Sequence, residues 1–347
     1  DGSVVTDPQQ IQTELTDHFQ KWYDPKPLIP LADYLNNHPE IWRDAERQRG
    51  LPGRHEAANL PPEMTSMLRL FTEALLFTED IPGLQIDMEN AMTREVQFED
   101  FEAGINARSN NRSPGITKFS ANMLKQLSDQ AKHVMFDLLN HLWKHKRVPQ
   151  HWKNKWVVLI PKDPGPNVSI DRLRPICLLE TTRKLWSAII MVRIMQVLEK
   201  HKVLQDMQSG FRSGVSTTPS LLQFINAMEQ AEQKKSSLFY TSYDISKAFD
   251  RPPKGLIKLA WTRVGVPEDV AQWLVDLDVG GKSYIKSPWA QAQTKNHKMI
   301  SRTICPFFEQ IMGVPQGSSE GGNTWLVIFD ILLTMLKLRR VSRYHIQ

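Results

Sequence analysis

The sequence predicts an α+β fold, on two observations. Amphipathic runs with helical spacing recur along its 347 residues, and they give way at 156–160 and 236–245 to short runs rich in β-branched and aromatic side chains. The length sets a prior of about two domains. Hydrophobic residues at 41% and charged residues at 23% match ordinary globular chains, which excludes wholesale disorder and collagen-like or disulfide-scaffold architectures. Two cysteines, Cys177 and Cys305, are too few for a disulfide framework or an all-cysteine zinc site, and they point to a reducing intracellular compartment. Ten histidines occur without cysteine partners or an HExxH pattern, so no structural zinc is expected.

Taken in order, Thr6-Asp7-Pro8 followed by Ile11, Leu15, Phe19 and Trp22 predicts a capped amphipathic helix that ends before Pro25. Residues 25–53, rich in Pro, Asn and charge, read as a connector. Residues 64–77 and 96–107 have helical spacing, and SNNRSPGIT at 109–117 is a loop. Helices are predicted at 119–127 and 129–145, the second with Val134, Leu138, Leu139 and Leu142 on its apolar face. After Pro149 the compact run 156–160 is a strand, and the loop 162–175 leads to a long helix over 178–201. A helix at 218–233 precedes SSLFYTSYDI at 236–245, whose composition marks a strand closing in Asp244. Residues 256–264 are helical, 280–302 hold short strands, and 323–340 form the last helix. Its most apolar window, 325–336, is interrupted by Asp330 and falls short of the roughly 18 apolar residues of a membrane span. The N-terminal residues carry no signal-peptide pattern.

Charge is divided along the chain. The formal net charge is +5, yet residues 1–100 hold 8 Lys+Arg against 19 Asp+Glu, and the remainder holds 35 against 19. Within 141–175, Lys144, Lys146, Arg147, Lys153, Lys155, Lys162, Arg172 and Arg174 face two acids, with Trp143, Trp152 and Trp156 interleaved. Such a stripe suits backbone phosphates and base stacking. A solvated basic face with core tryptophans explains the composition equally well.

Three segments carry chemistry. The 236–245 run places Asp244 where the chain leaves a strand, a metal-ligand position with its carboxylate aimed into a cleft. Six residues on, Asp250 precedes Arg251-Pro252-Pro253, and a capping or turn role is the preferred reading. Phe249 falls between them, on the floor of the same cleft or as an ordinary core residue. Downstream, GVPQGSSEGG at 313–322 packs four glycines before an apolar helix and brings backbone amides close to a ligand, with Gln316 offering a donor and an acceptor. It is neither a Walker A loop nor a GxGxxG turn.

The order of segments is more specific than any one of them. SPGITKFSANMLKQL (113–127), WKNKWVVLIPKDPG (152–165), LRPICLLETTRKLWSAII (173–190), SGFRSGVSTT (209–218), YDISKAFD (243–250) and GVPQGSS (313–319) together resemble the reverse transcriptases of non-LTR retrotransposons. The resemblance implies a right-hand polymerase, with an acidic N-terminal connector at 1–108, a fingers-like region at 109–235 and an incomplete palm at 236–347. It implies two Mg²⁺ ions, with Mn²⁺ as a substitute. Asp244 matches the first catalytic carboxylate, and Ile245 the residue whose carbonyl helps hold the second metal. Phe249 matches the aromatic gate that excludes a 2′ hydroxyl. Gln316 and Gly317 match the pair that contacts nucleotide and template, and Lys162 and Arg174 match the fingers residues that clamp the triphosphate. The implied partners are an RNA template, a DNA primer or target DNA, and deoxynucleoside triphosphates, with no membrane. The implied location is intracellular, in the nucleus or a cytoplasmic ribonucleoprotein.

The chain also departs from the family. Ser319-Glu320-Gly321-Gly322 stands where Pro-Leu-Ser-Pro is usual, and no Asp-Asp pair follows Gly317. The expectation is an internal piece of a longer polyprotein, or a decayed copy, that polymerises poorly or not at all by itself. A non-catalytic nucleic-acid-binding remnant is the alternative. Group II intron maturases and viral RNA-dependent RNA polymerases share the palm, and Phe249 favours DNA synthesis over the latter.

Overall fold

Asp7 begins the first helix, its Oδ2 accepting the Gln10 N–H at 2.7 Å. Helix α1 then spans Pro8–Tyr23. The computed structural model describes residues 7–23, 62–76, 81–163, 169–240, 242–286 and 306–344. The connector read at 25–53 and the Lys-rich 287–302 stretch lie outside these. Along the chain follow α2 (Pro62–Leu76), α3 (Leu84–Thr93), α4 (Phe98–Asn106), α5 (Ala121–Lys125), α6 (Asp129–Lys144) and α7 (Gln150–Lys153). Ser120 and Ser128 cap α5 and α6 by accepting the Met123 and Ala131 N–H groups. Next come β1 (Lys155–Pro161), a 3₁₀ turn (Ile170–Arg172), β2 (Leu173–Leu178), α8 (Thr181–Lys200), α9 (Thr218–Gln233), α10 (Lys254–Arg263) and α11 (Glu268–Asp276). Strands β3 (Lys282–Ile285) and β4 (Phe308–Glu309) and helix α12 (Gly321–Tyr344) complete an α+β fold.

The sheet runs β2-β1-β3-β4. β1 is antiparallel to β2 and parallel to β3, and β3 is antiparallel to β4. Helix α1 covers it: Phe19, Trp22 and Tyr23 pack with Val157, Cys177, Ile285 and Phe308, and the Tyr23 and Phe308 rings stack at 5.6 Å. The larger core is helical. Leu185, Trp186, Ile190, Ile194 and Leu198 of α8 are buried against α3 and α4, so Leu84, Met88, Met92, Phe101 and Ile105 share this core. Helix α12 packs on α2 and α10, where its fully buried Asp330 pairs with Arg263 at 2.8 Å and accepts the Gln205 N–H at 2.8 Å.

Several expectations need correction. The apolar face of α6 is centred on Leu139 and Trp143, while Val134 and Leu138 are exposed. Residues 173–178 are a strand, and the long helix starts after them. Helix α12 is longer than its apolar window, and Gly321–Arg339 is long and apolar enough to cross a membrane. Its Asp330–Arg263 pair is the arrangement of a core helix.

The strand predicted over 236–245 does not form at its described residues, 236–240 and 242–245. Neither side of this segment meets a ladder partner among the described residues, and an extended backbone without one gains nothing over hydration. Phe239 and Tyr243 are 93% and 88% exposed. The preceding α9 has the predicted bounds, yet none of its residues is buried.

Candidate active site

The site is assembled around the end of the β1–β2 pair. Ile160 faces Arg174 and Pro161 faces Leu173 in its last rungs. Just beyond, the Lys162 N–H donates to the Arg172 carbonyl at 2.9 Å. Arg172 grips Asp163 through two bonds of 2.6 and 2.7 Å, the fork geometry that fixes a guanidinium on a carboxylate. The turn is thereby closed, and Lys162 and Arg174 stand exposed at its rim. Neither is in an ion pair among the described residues.

β2 is an edge strand, where Pro175 sacrifices no ladder bond. Its free edge takes up the Gly-rich turn, because the Cys177 N–H donates to the Gln316 carbonyl at 2.7 Å. Gly317 follows with φ +113°, and a Cβ there would sit 2.8 Å from the Cys177 carbonyl oxygen. Only glycine permits that approach. On the other side, the Val314 and Gly313 N–H groups donate to the carbonyls of Phe249 and Pro252 at 2.8 and 2.7 Å, and Lys254 Nζ donates to the Gly313 carbonyl at 2.7 Å. The turn is stitched between β2 and residues 249–254.

Asp250 sits at the centre of this arrangement. Gln316 Nε2 donates to its Oδ1 and Oδ2 at 3.1 and 3.2 Å, and the Tyr23 hydroxyl donates to Oδ1 at 3.2 Å. Burial raises the Asp250 carboxyl above its ordinary value, and these hydrogen bonds pull it partly back. Tyr23 is pushed well up by burial and by the Asp250 charge. The capping role preferred for Asp250 is therefore replaced: its carboxylate joins α1, the Gly-rich turn and the cleft.

A cleft of about 550 Å³ opens here, lined by Trp22, Lys162, Arg174, Asp244, Ile245, Asp250 and Gln316 among others. Asp244 reaches it from an exposed loop in place of the predicted strand end. Phe249 does not line the cleft. It is half-buried on the main core, with ring centroids 6.0 Å from Phe211 and 6.2 Å from Trp325. Gly317 lines a neighbouring pocket on the other face of the turn. Trp22, Tyr23 and the engaged Asp250 were missed by sequence reasoning. No local pattern could have announced that α1 returns to residue 250.

The unusual Glu320 also finds its explanation. It is buried and bonded to Arg183 at 2.6 Å, and Arg183 in turn contacts Asp278 at 2.9 Å and donates to the carbonyls of Trp152 and Leu277. Lys155 and Lys254 flank Asp278 at 3.4 and 3.7 Å. Burial alone would raise the Asp278 carboxyl, but the Arg183, Lys155 and Lys254 charges overcome it and hold it well below the usual range. Glu320 thus anchors the end of the turn to α8.

The donor set can be weighed against a divalent cation. Mg²⁺ is usually held by one or two carboxylates, with water and substrate phosphate oxygens completing the octahedron. Asp244 suits that role, being exposed at the cleft with no hydrogen-bond partner among the described residues. Asp250 is engaged by Gln316 and Tyr23. Among the described residues, no group of three or more His, Cys, Asp or Glu side chains is placed to hold a metal by itself.

The family described as "Reverse transcriptase (RNA-dependent DNA polymerase)" matches residues 160–345, a span that includes every cleft residue except Trp22. The chain is similar to the "Probable RNA-directed DNA polymerase from transposon BS" of Drosophila melanogaster, 26% identical over 71% of this chain and 26% of that protein. It is also similar to the corresponding protein "from transposon X-element" of the same organism, 28% identical over 70% of this chain and 25% of the relative. A third relative is the "Retrovirus-related Pol polyprotein from type-1 retrotransposable element R2" of Nasonia vitripennis, 23% identical over 57% of this chain and 18% of its own length. The chain thus spans about a quarter or less of the curated relatives it matches. With more than half of its length inside the family's span, the chain belongs to the reverse transcriptases, in the group carried by non-LTR retrotransposons.

Proposed function

We propose that this chain supplies the fingers-like region (109–235) and part of the palm (236–347) of an RNA-directed DNA polymerase that extends a DNA primer on an RNA template inside the cell. One observation carries the reading: Lys162, Arg174, Asp244, Ile245 and Gln316, distant in sequence, line a single cleft. In the proposed reaction Lys162 and Arg174 neutralise and orient the triphosphate, a point charge and a planar fork on one anion. Asp244 and the Ile245 carbonyl hold a divalent ion, which when bound stabilises charge on the transferring phosphoryl group. Gln316 is positioned by its bonds to Asp250 and by its own carbonyl on Cys177. Phe249, proposed from the resemblance as the sugar gate, takes that role in the complete site and not in the arrangement described above.

The test is primer extension on an RNA template by the longer parent protein, wild type against Asp244→Ala. Equal incorporation by both removes Asp244 from the metal site. The second reading, a nucleic-acid-binding remnant, is favoured by the absence of strand at the described residues of 236–245 and by Asp244 being the one cleft carboxylate with neither hydrogen bond nor ion pair among the described residues. It predicts salt-dependent binding without Mg²⁺-dependent synthesis.

A further inference from the structure

Helix α1 carries Trp22 into the lining of the cleft, next to Asp244, Ile245, Ser246 and Lys247. Trp22 is 6% exposed, and the Lys247 Nζ stands 3.1 Å from the centroid of its ring. An ammonium is drawn to the electron-rich face of an indole, most strongly where water is partly excluded. Trp22 lies outside the residues 160–345 that the family matches, so the contact comes from an element that precedes the polymerase span. The loop it touches has little else to hold it. Residues 242–246 are exposed, and none of them makes a hydrogen bond, an ion pair or a ring contact among the described residues. Lys247 is where the chain is caught again. Its backbone takes φ +54°, the left-handed region that a residue with a Cβ enters only at a cost. Its carbonyl accepts the Asp250 and Arg251 N–H groups at 2.9 and 3.1 Å. Three residues of chain reach at most about 11 Å, so an anchored Lys247 confines Asp244 to the neighbourhood of the cleft.

We propose that Trp22 is a positioning residue of the polymerase: its ring holds the Lys247 ammonium and thereby keeps the loop of Asp244 at the cleft. That Asp244 meets a divalent ion rests on the function proposed above, whereas the tether stands on the contact itself. The reading requires a charge at 247, since an apolar contact alone would be met by any side chain of similar length. It also requires an aromatic face at 22, because leucine fills space but offers nothing to a cation.

Hydrogen–deuterium exchange of the 347-residue chain, read by mass spectrometry on peptides within 242–251, tests the tether without catalysis. Lys247→Met keeps the length of the side chain and removes its charge. It is expected to speed exchange of the Asp250 and Arg251 amides several-fold, while peptides of α8 and α12 keep their wild-type rates and report an intact fold. Lys247→Arg stays close to wild type, because a guanidinium also rests on an indole face. Trp22→Leu reproduces the Lys247→Met effect, and the double variant exchanges no faster than either single one, as for two residues acting through one contact. In the longer parent protein, Lys247→Met raises the Mg²⁺ concentration for half-maximal nucleotide incorporation several-fold, and Lys247→Arg restores it. Wild-type exchange rates in Lys247→Met, effects of the two single variants that add in the double variant, or an unchanged Mg²⁺ requirement overturns the proposal. Faster exchange in the variants, together with a wild-type parent that incorporates no nucleotide, upholds the tether and defeats the polymerase reading.

Discussion

Gln316 holds both oxygens of Asp250, at 3.1 and 3.2 Å, across 66 residues of sequence. The bond keeps a buried carboxylate beside a cleft at a cost to the fold, because burial raises the Asp250 carboxyl above its ordinary value of 3.8. The native state then holds this proton more firmly than the unfolded chain does, so the Asp250 contribution to stability falls as pH rises through the window above 3.8. Asp250→Asn is expected to be at least as stable as wild type at pH 7 and to show a shallower loss of stability from pH 4 to 6. Thermal unfolding over that range checks it, and a clearly destabilised variant at pH 7 would show that the charge supports the fold.

Asp244 should behave in the opposite way. Its side chain is exposed and has no hydrogen bond among the described residues, so Asp244→Ala should shift stability by no more than about 0.5 kcal/mol. In the longer protein the same change should lower Mg²⁺-dependent incorporation by about 100-fold or more, which corresponds to a few kcal/mol of barrier. A circular-dichroism melt together with single-nucleotide incorporation separates the two effects.

Arg183 lies between Asp278 and Glu320, all three buried. Removing the cation by Arg183→Met strands Glu320, while Asp278 keeps Lys155 and Lys254, and should cost about 3–5 kcal/mol in urea unfolding. Adding Glu320→Gln should recover part of that loss, since the stranded charge is gone. A double variant no more stable than the single one would show that Glu320 does not depend on Arg183.

Phe19 joins the N-terminal helix to the sheet, fully buried and 6.1 Å from the Phe308 ring. Phe19→Ala should destabilise the chain by about 3–5 kcal/mol through lost burial and the cavity left behind. Because the same helix carries Trp22 to the cleft and Tyr23 to Asp250, RNA affinity should fall in parallel. Denaturant titration and anisotropy on the same samples would reveal whether the two losses are coupled.

Much of this architecture was readable locally. The bounds of α9, the strand at 156–160 and the capped start of α1 follow from spacing, turn residues and side-chain caps. The order of YDISKAFD and GVPQGSS needed only the residues themselves. β2 was hidden because Arg174 and Pro175 mask a strand that tolerates them by lying at the sheet edge.

The sequence by itself determined the family, the α+β class and five of the residues that line the cleft, because helix periodicity, glycine turns and a motif order are encoded within short windows. Tertiary structure alone decided that 236–240 and 242–245 find no strand partner among the described residues, that Asp250 is buried against Tyr23, and that Glu320 is an anchor. Strand pairing and burial are properties of what a segment meets. Tyr23 and Asp250 meet across 227 residues, a distance over which no local propensity acts.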